Sequence, residues 1–122
     1  MDKFEIITNN PAVEGIYPEF AKLYETDVLG IFTIVRDMVH RGLKVLSHPL
    51  CGSIKPWETP YKSILVSSSH GNLDFESLKY IENAIDAMKN RGFGSRAYSA
   101  EVLEDFSLID LDIINSALNS KK

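Results

Sequence analysis

Pro49, Pro56 and Pro60 fall within twelve residues between two apolar runs, and this clustering limits the fold more than any other feature of the 122-residue chain. Proline fixes φ and removes an N–H donor, so residues 47–62 are read as a rigid, irregular connection rather than helix or paired strand. Upstream, LKVL (residues 43–46) reads as a short strand. Downstream, ILV (residues 64–66) is apolar on consecutive residues, as expected of a strand covered on both faces. The connection has no helical pattern, so these two strands can be antiparallel. It also holds the chain's only cysteine, its only tryptophan and one of three histidines. A loop of this length in a small domain is usually functional or disordered, and the aromatic and apolar content here argues against a floppy linker.

The remaining elements follow from periodicity and punctuation. FEIIT (residues 4–8) is β-rich and ends at Asn9-Asn10-Pro11, a turn signal. A short helix from Pro11 is stopped or kinked by Pro18, and residues 22–25 read as an edge strand. Thr26 or Asp27 caps the clearest helix, residues 28–41, with Val28, Leu29, Ile31, Phe32, Val35, Met38 and Val39 in its apolar stripe. Gly42 stands where a left-handed C-cap belongs. His40 and Arg41 occupy the last turn, where the helix dipole favours cations. Leu73, Asp74 and Leu78 resemble a staple and cap opening a helix to about residue 90, closed by Gly92. Ser99 caps a turn over residues 100–104, residues 106–109 read as a strand, and Asp110 caps a last amphipathic helix. Strands alternating with helices give the expected fold class: α/β, a single layered domain over residues 1–122. It has roughly four to five short strands, mostly parallel with a mixed sheet as the alternative, packed with helices.

Charge and cysteine count exclude several function classes. The formal net charge of −4 argues against a general nucleic-acid binder, which needs a basic face to displace counterions. Residues 36–62 nevertheless carry five basic side chains (Arg36, Arg41, Lys44, Lys55, Lys62) against two acidic ones, Asp37 and Glu58. A locally positive segment of this kind suits a small anion or an acidic partner, and scattered solvated charge is the alternative. One cysteine excludes an internal disulfide and a multi-cysteine metal site. No apolar stretch approaches the ~20 residues of a membrane span, and the N-terminus lacks a secretory pattern, so a cytoplasmic protein is expected. No cofactor and no metal are expected.

The candidate site residues cluster in and beside the proline-rich connection, which leaves the end of a strand where open α/β sheets tend to bind ligands. Gly52 and Ser53 can form an anion-binding nest, with Lys55 adding charge and His48, Thr59, Tyr61, Asn9 and Asn10 adding donors. The alternative is a loop whose polar groups satisfy one another, with Asn10 merely capping the helix at Pro11. No Walker or dinucleotide fingerprint is present. Cys51 lies three residues from His48, with His70 after the neighbouring strand. No third orienting residue accompanies them, and no catalytic residue is assigned. Pro56, Trp57 and Glu58 form a candidate partner-binding tip, because tryptophan is enriched at protein interfaces.

ITNNP (residues 7–11), VRDMVHRG (35–42), LSHPLCGSIKPWETPYKSI (46–64), LDFESLKYIENAI (73–85) and VLEDFSLIDLDIINSAL (102–118) together resemble the GrdX family. These are small proteins encoded with the glycine, sarcosine and betaine reductase systems of amino-acid-fermenting anaerobic bacteria. Residues 93–99 match least well. The resemblance implies a non-catalytic accessory or regulatory role, with reductase components as partners, and carries over no catalytic residue. It marks Asn9, Asn10, His48, Gly52, Ser53, Lys55, Pro56, Glu58, Thr59 and Tyr61 as motif positions. The competing expectation is a small-anion-binding α/β domain or enzyme using the same loop. A homo-oligomer is compatible with either.

Overall fold

The computed structural model describes residues 3–49, 55–68, 70–89 and 98–120. Three strands, β1 (Phe4–Thr8), β2 (Ala21–Leu23) and β3 (Ser63–Ser67), form a sheet in the order β2-β1-β3. β2 runs parallel to β1 and β3 antiparallel to it, with Ile6 opposite Leu65 and Ile7 opposite Ile64. Side chains alternate across a strand, so this register sends Ile6 and Leu65 to one face and Ile7, Ile64 and Val66 to the other. Helices cover both faces. α2 (Val28–His40) and α3 (Phe75–Lys89) pack over Ile7, Ile64 and Val66, while α1 (Pro11–Ile16) and α4 (Ala100–Ser120) pack over Ile6 and Leu65. The molecule is therefore a three-layer α/β/α domain, and the consecutive apolar residues of β3 are buried on both sides, as the sequence predicts.

Local chemistry sets the helix ends. Asp27 caps α2 by accepting from the Gly30 N–H at 2.8 Å. At the other end the Leu43 N–H reaches the Met38 carbonyl (3.1 Å) and the Gly42 N–H reaches Val39 (3.0 Å), the paired bonds of a Schellman motif. Gly42 adopts φ +96°, and a Cβ there would lie 2.1 Å from the Gly71 carbonyl oxygen. Both the left-handed backbone and the close approach require glycine. Asp74 caps α3, accepting from the N–H (3.1 Å) and hydroxyl (2.5 Å) of Ser77.

The sheet differs from expectation in strand number. Residues 43–46 meet β3 through a single antiparallel bridge, Val45 to Val66. The Leu46 and Ser47 N–H groups converge on one carbonyl, Leu65 O, at 2.7 and 3.3 Å, as in a β-bulge. Side-chain oxygens then replace ladder partners: Ser67 Oγ accepts from Lys44 N, Ser77 Oγ from Val45 N and Ser47 Oγ from Leu65 N. The antiparallel relation holds, but this run is not a full strand. The strand expected at residues 22–25 lies at Ala21–Leu23. With one parallel and one antiparallel pair, the sheet is mixed rather than mostly parallel.

The largest correction concerns residues 100–120. The expected strand at 106–109 does not form, and Asp110 is not a cap; α4 runs unbroken through both. No glycine or proline interrupts this stretch, and Leu103, Ser107, Asp110, Leu111, Ile114, Ala117 and Leu118 recur at helical spacing. Asp110 thus sits on the face that α4 turns to the sheet, 5% exposed. The expected closure of α3 at Gly92 lies outside the described residues.

Candidate functional site

The carboxyl end of β1, the amino end of β3 and the middle of α4 meet in a buried polar junction. Asp110 is its centre. Its Oδ1 accepts from the Ser63 N–H (3.0 Å), and its Oδ2 accepts from the Ser63 hydroxyl (2.7 Å) and Asn10 Nδ2 (3.1 Å). Because the Ser63 proton goes to Asp110, the 2.7 Å contact between the Thr8 and Ser63 hydroxyls has Thr8 as donor. Thr8 Oγ1 accepts in turn from the Asn10 N–H (2.9 Å). The result is one directional chain from the Asn10 backbone through Thr8 and Ser63 to the carboxylate, in which each bond polarises the next.

Asn10 uses its whole side-chain amide in this junction. Its Oδ1 accepts from the Ala12 N–H (3.1 Å) and the Ser107 hydroxyl (2.9 Å), and its Nδ2 donates to Ser107 O (3.0 Å) as well as Asp110. It is therefore both the cap of α1 and a tie to α4. Burial pushes the Asp110 carboxyl above its ordinary pKa, against the opposing pull of the Ser63 and Asn10 hydrogen bonds and the Lys62 charge. Lys62 itself is 6% exposed, an unusual degree of burial for a lysine.

Asn9 extends the junction into the proline-rich segment. Its Nδ2 donates to Thr26 O (2.8 Å) and Pro60 O (2.9 Å), and its Oδ1 accepts from the Lys62 N–H (2.8 Å). Thr59 Oγ1 accepts from the Tyr61 N–H (3.2 Å) and lies 3.3 Å from the Tyr61 carbonyl, fixing the turn locally. Residues 59–62 are thereby held to the end of β1. Upstream, Pro56–Glu58 form one 3₁₀ turn, with Pro56 buried. Trp57 is half-buried against the α2/α3 core, and the Lys55 ammonium sits 5.5 Å from its ring centroid. The Tyr98 hydroxyl reaches Glu58 O (3.4 Å), and the Tyr98 ring meets Phe106 edge-on at 5.4 Å.

The sequence candidates therefore divide. Asn9 is brought to the segment that holds Thr59 and Tyr61, through Pro60 and Lys62, while Asn10 turns to α1 and α4, and both amides hold this chain's own groups. Lys55 and Glu58 are exposed, and Pro56 and Trp57 are anchored. His48 is exposed with its ring 4.7 Å from Tyr80, and His70 is exposed with Nδ1 3.0 Å from Arg41 O. Cys51, Gly52 and Ser53 lie outside the described residues. Among the described residues no group of three His, Cys, Asp or Glu converges to hold a metal, and no helix is long and apolar enough to cross a membrane. Sequence reasoning missed Ser63, Ser107 and Asp110 as members of the site. The available signal was the spacing Ser107–Asp110–Ile114, which places all three on the core face of an unbroken helix.

Fold and junction together define a small three-layer α/β protein in which Asp110 and Asn10 tie α4 to the strand ends and Asn9 holds residues 60–62 to the end of β1. A family model described as GrdX-like protein matches residues 5–119, nearly the whole chain, and the protein belongs to that family. No curated protein and no solved structure matches it significantly.

Proposed function

We propose that the protein is a non-catalytic accessory or regulatory component of the glycine, sarcosine and betaine reductase systems. In this reading it binds a reductase component through the surface of residues 55–61. Family membership supports the choice of system. The observation that carries the mode of action is the anchoring of the segment from behind. Asn9 grips Pro60 and Lys62, Thr59 closes the turn at Tyr61, and Trp57 is seated on the core. A segment ordered before binding loses little conformational entropy on docking, which favours its use as a recognition surface. Lys55 and Glu58 then present opposite charges on either side of the Pro56-Trp57 step.

The junction also favours binding over turnover. Asp110, the one strongly buried acid described, has its oxygens engaged by Ser63 and Asn10 and shielded from solvent. A general acid or base must instead reach a substrate proton. The test is a pull-down from lysate of glycine-grown cells of an amino-acid fermenter, comparing wild type with the exposed-charge variant Lys55→Glu/Glu58→Lys. Retention of reductase components by wild type and their loss from a folded variant is the expected result. Equal retention by both removes residues 55–61 as the docking surface, and retention by neither removes the accessory role.

A further inference from the structure

The face of α4 turned away from the sheet carries three large apolar side chains, Val102 (38% exposed), Leu108 (55%) and Ile109 (41%). Glu101, Glu104, Asp105 and Asp112 stand among them, all exposed. No lysine or arginine occurs from residue 98 to residue 120, and the nearest bases in the sequence are Arg96 and Lys121. Among the described residues none of the four acids forms an ion pair. The helix dipole favours an acid in the first turn, which accounts for Glu101. It does not reach Asp105 or Asp112, and aspartate is a poor helix former at interior positions. Val102 and Ile109 are seven residues apart, as are Asp105 and Asp112, so each pair forms a line nearly parallel to the helix axis. The apolar line and the acidic line lie side by side, with Leu108 on the far side of the acids.

We infer that this face of α4 is a docking surface for a basic amphipathic helix of a partner protein. Charge complementarity sets the occupant. A second copy packing α4 against α4, a nucleic acid or an anionic lipid surface would each bring negative charge against Asp105 and Asp112. A cationic helix instead pairs its lysines or arginines with them, and the aliphatic stems of those side chains cover Leu108 and Ile109. Lines that repeat at seven residues are also the pattern that a second helix laid along the first requires. The face shares no residue with the 55–61 surface, so its occupancy is independent of the proposed accessory role.

Fluorescence anisotropy of the full chain with three labelled peptides tests the assignment: an amphipathic helix built from leucine and lysine at heptad spacing, its leucine–glutamate counterpart, and an oligolysine of equal charge. The leucine–lysine helix should bind at least about tenfold more tightly than oligolysine, because it also buries apolar area, and the glutamate peptide should not bind. Asp105→Asn/Asp112→Asn should weaken the leucine–lysine helix about fivefold at low salt, the effect of losing two exposed charge pairs. Leu108→Ser/Ile109→Ser should weaken it about tenfold. Asp37→Asn/Asp86→Asn, which removes two exposed acids from α2 and α3, should leave it unchanged. Circular dichroism will verify the fold of each variant. The inference is overturned if oligolysine matches the leucine–lysine helix, if the control pair weakens binding as much as the α4 pair, or if either folded α4 variant binds as wild type does. Tighter binding by Arg91→Gln/Arg96→Gln would assign the face to this chain's own arginines and overturn it as well.

Discussion

Truncation of Asp110 to alanine tests whether the buried junction holds α4 to the sheet. Three donors converge on the carboxylate, and they respond differently to its loss. Asn10 Nδ2 keeps Ser107 O, and the Ser63 hydroxyl keeps Thr8 as a neighbour. The Ser63 N–H, on a buried strand, is left with no acceptor, at a cost of about 1–3 kcal/mol. Lys62 also loses an anion whose charge reaches it, which adds to the cost. The offsetting term is relief of the desolvation that raises the Asp110 pKa. The net loss should be about 2 kcal/mol, a substantial part of the 5–15 kcal/mol available to a domain of this size. In urea at about pH 7 this corresponds to a midpoint lowered by roughly 1 M with an unchanged slope. A midpoint within about 0.3 M of wild type would refute the assignment of Asp110 as the tie between α4 and the strand ends.

The same residue predicts a pH dependence of definite sign. Its folded-state pKa is raised, so the folded protein holds the proton more tightly than the unfolded chain. The resulting contribution to stability is fully present below the ordinary value of 3.8 and is lost as pH rises through the raised value. Asp110→Asn removes this titration. It also forces two donors together, because Asn10 cannot flip while Ala12 N and the Ser107 hydroxyl hold its oxygen. The variant should be less stable throughout, with a deficit that shrinks as pH rises from about 4 toward neutrality. A deficit that grows over that range would reverse the sign of the argument. Asp74 acts in a separate window: Ser77 holds its pKa down, so its contribution is lost only as pH falls below the ordinary carboxylate range.

Three further substitutions probe the frame around the site. Gly42→Ala meets the Gly71 carbonyl and a positive φ together; thermal melting should show a loss of about 2 kcal/mol or more, and a neutral result would mean that the turn shifts freely. Trp57→Ala should cost about 1–3 kcal/mol in urea because the ring packs on the α2/α3 core, so reduced partner capture by this variant alone would not locate the interface. Asn9→Ala should free residues 59–62 from β1, read as faster amide exchange at Lys62, whose N–H the Asn9 oxygen now accepts; unchanged exchange there would contradict the anchoring role.

What could be read from the sequence was what depends on local chemistry. The Asp27 cap, the Gly42 termination of α2, the Asp74 cap of α3 and the doubly covered β3 each follow from a residue and its immediate neighbours, and each is present. What failed depends on partners distant in sequence. Residues 43–46 have the composition of a strand, but Ser47 and Ser77 supply hydroxyls that displace the regular ladder. Asp110 reads as a cap because aspartate is unfavourable inside an apolar helical face. It stands there because Asn10 and Ser63, 100 and 47 residues away, offset part of the cost of its burial.

The same contrast bears on the site. Asn9 and Asn10 stand out in the sequence as exposed turn residues or ligand donors, and the proline-rich segment stands out as a separate feature. The structure makes them one mechanical unit, since the amides that could have gripped an external anion instead grip Pro60, Lys62, Ser107 and Asp110. The described part of the segment, residues 55–62, carries Pro56 and Pro60 and is held at its exit by Asn9 at the end of the central strand. Proline content and the Asn9 hydrogen bonds both restrict residues 59–62, next to the exposed Lys55 and Glu58. If residues 55–61 dock a partner as proposed, a substitution in the junction should alter that docking from behind.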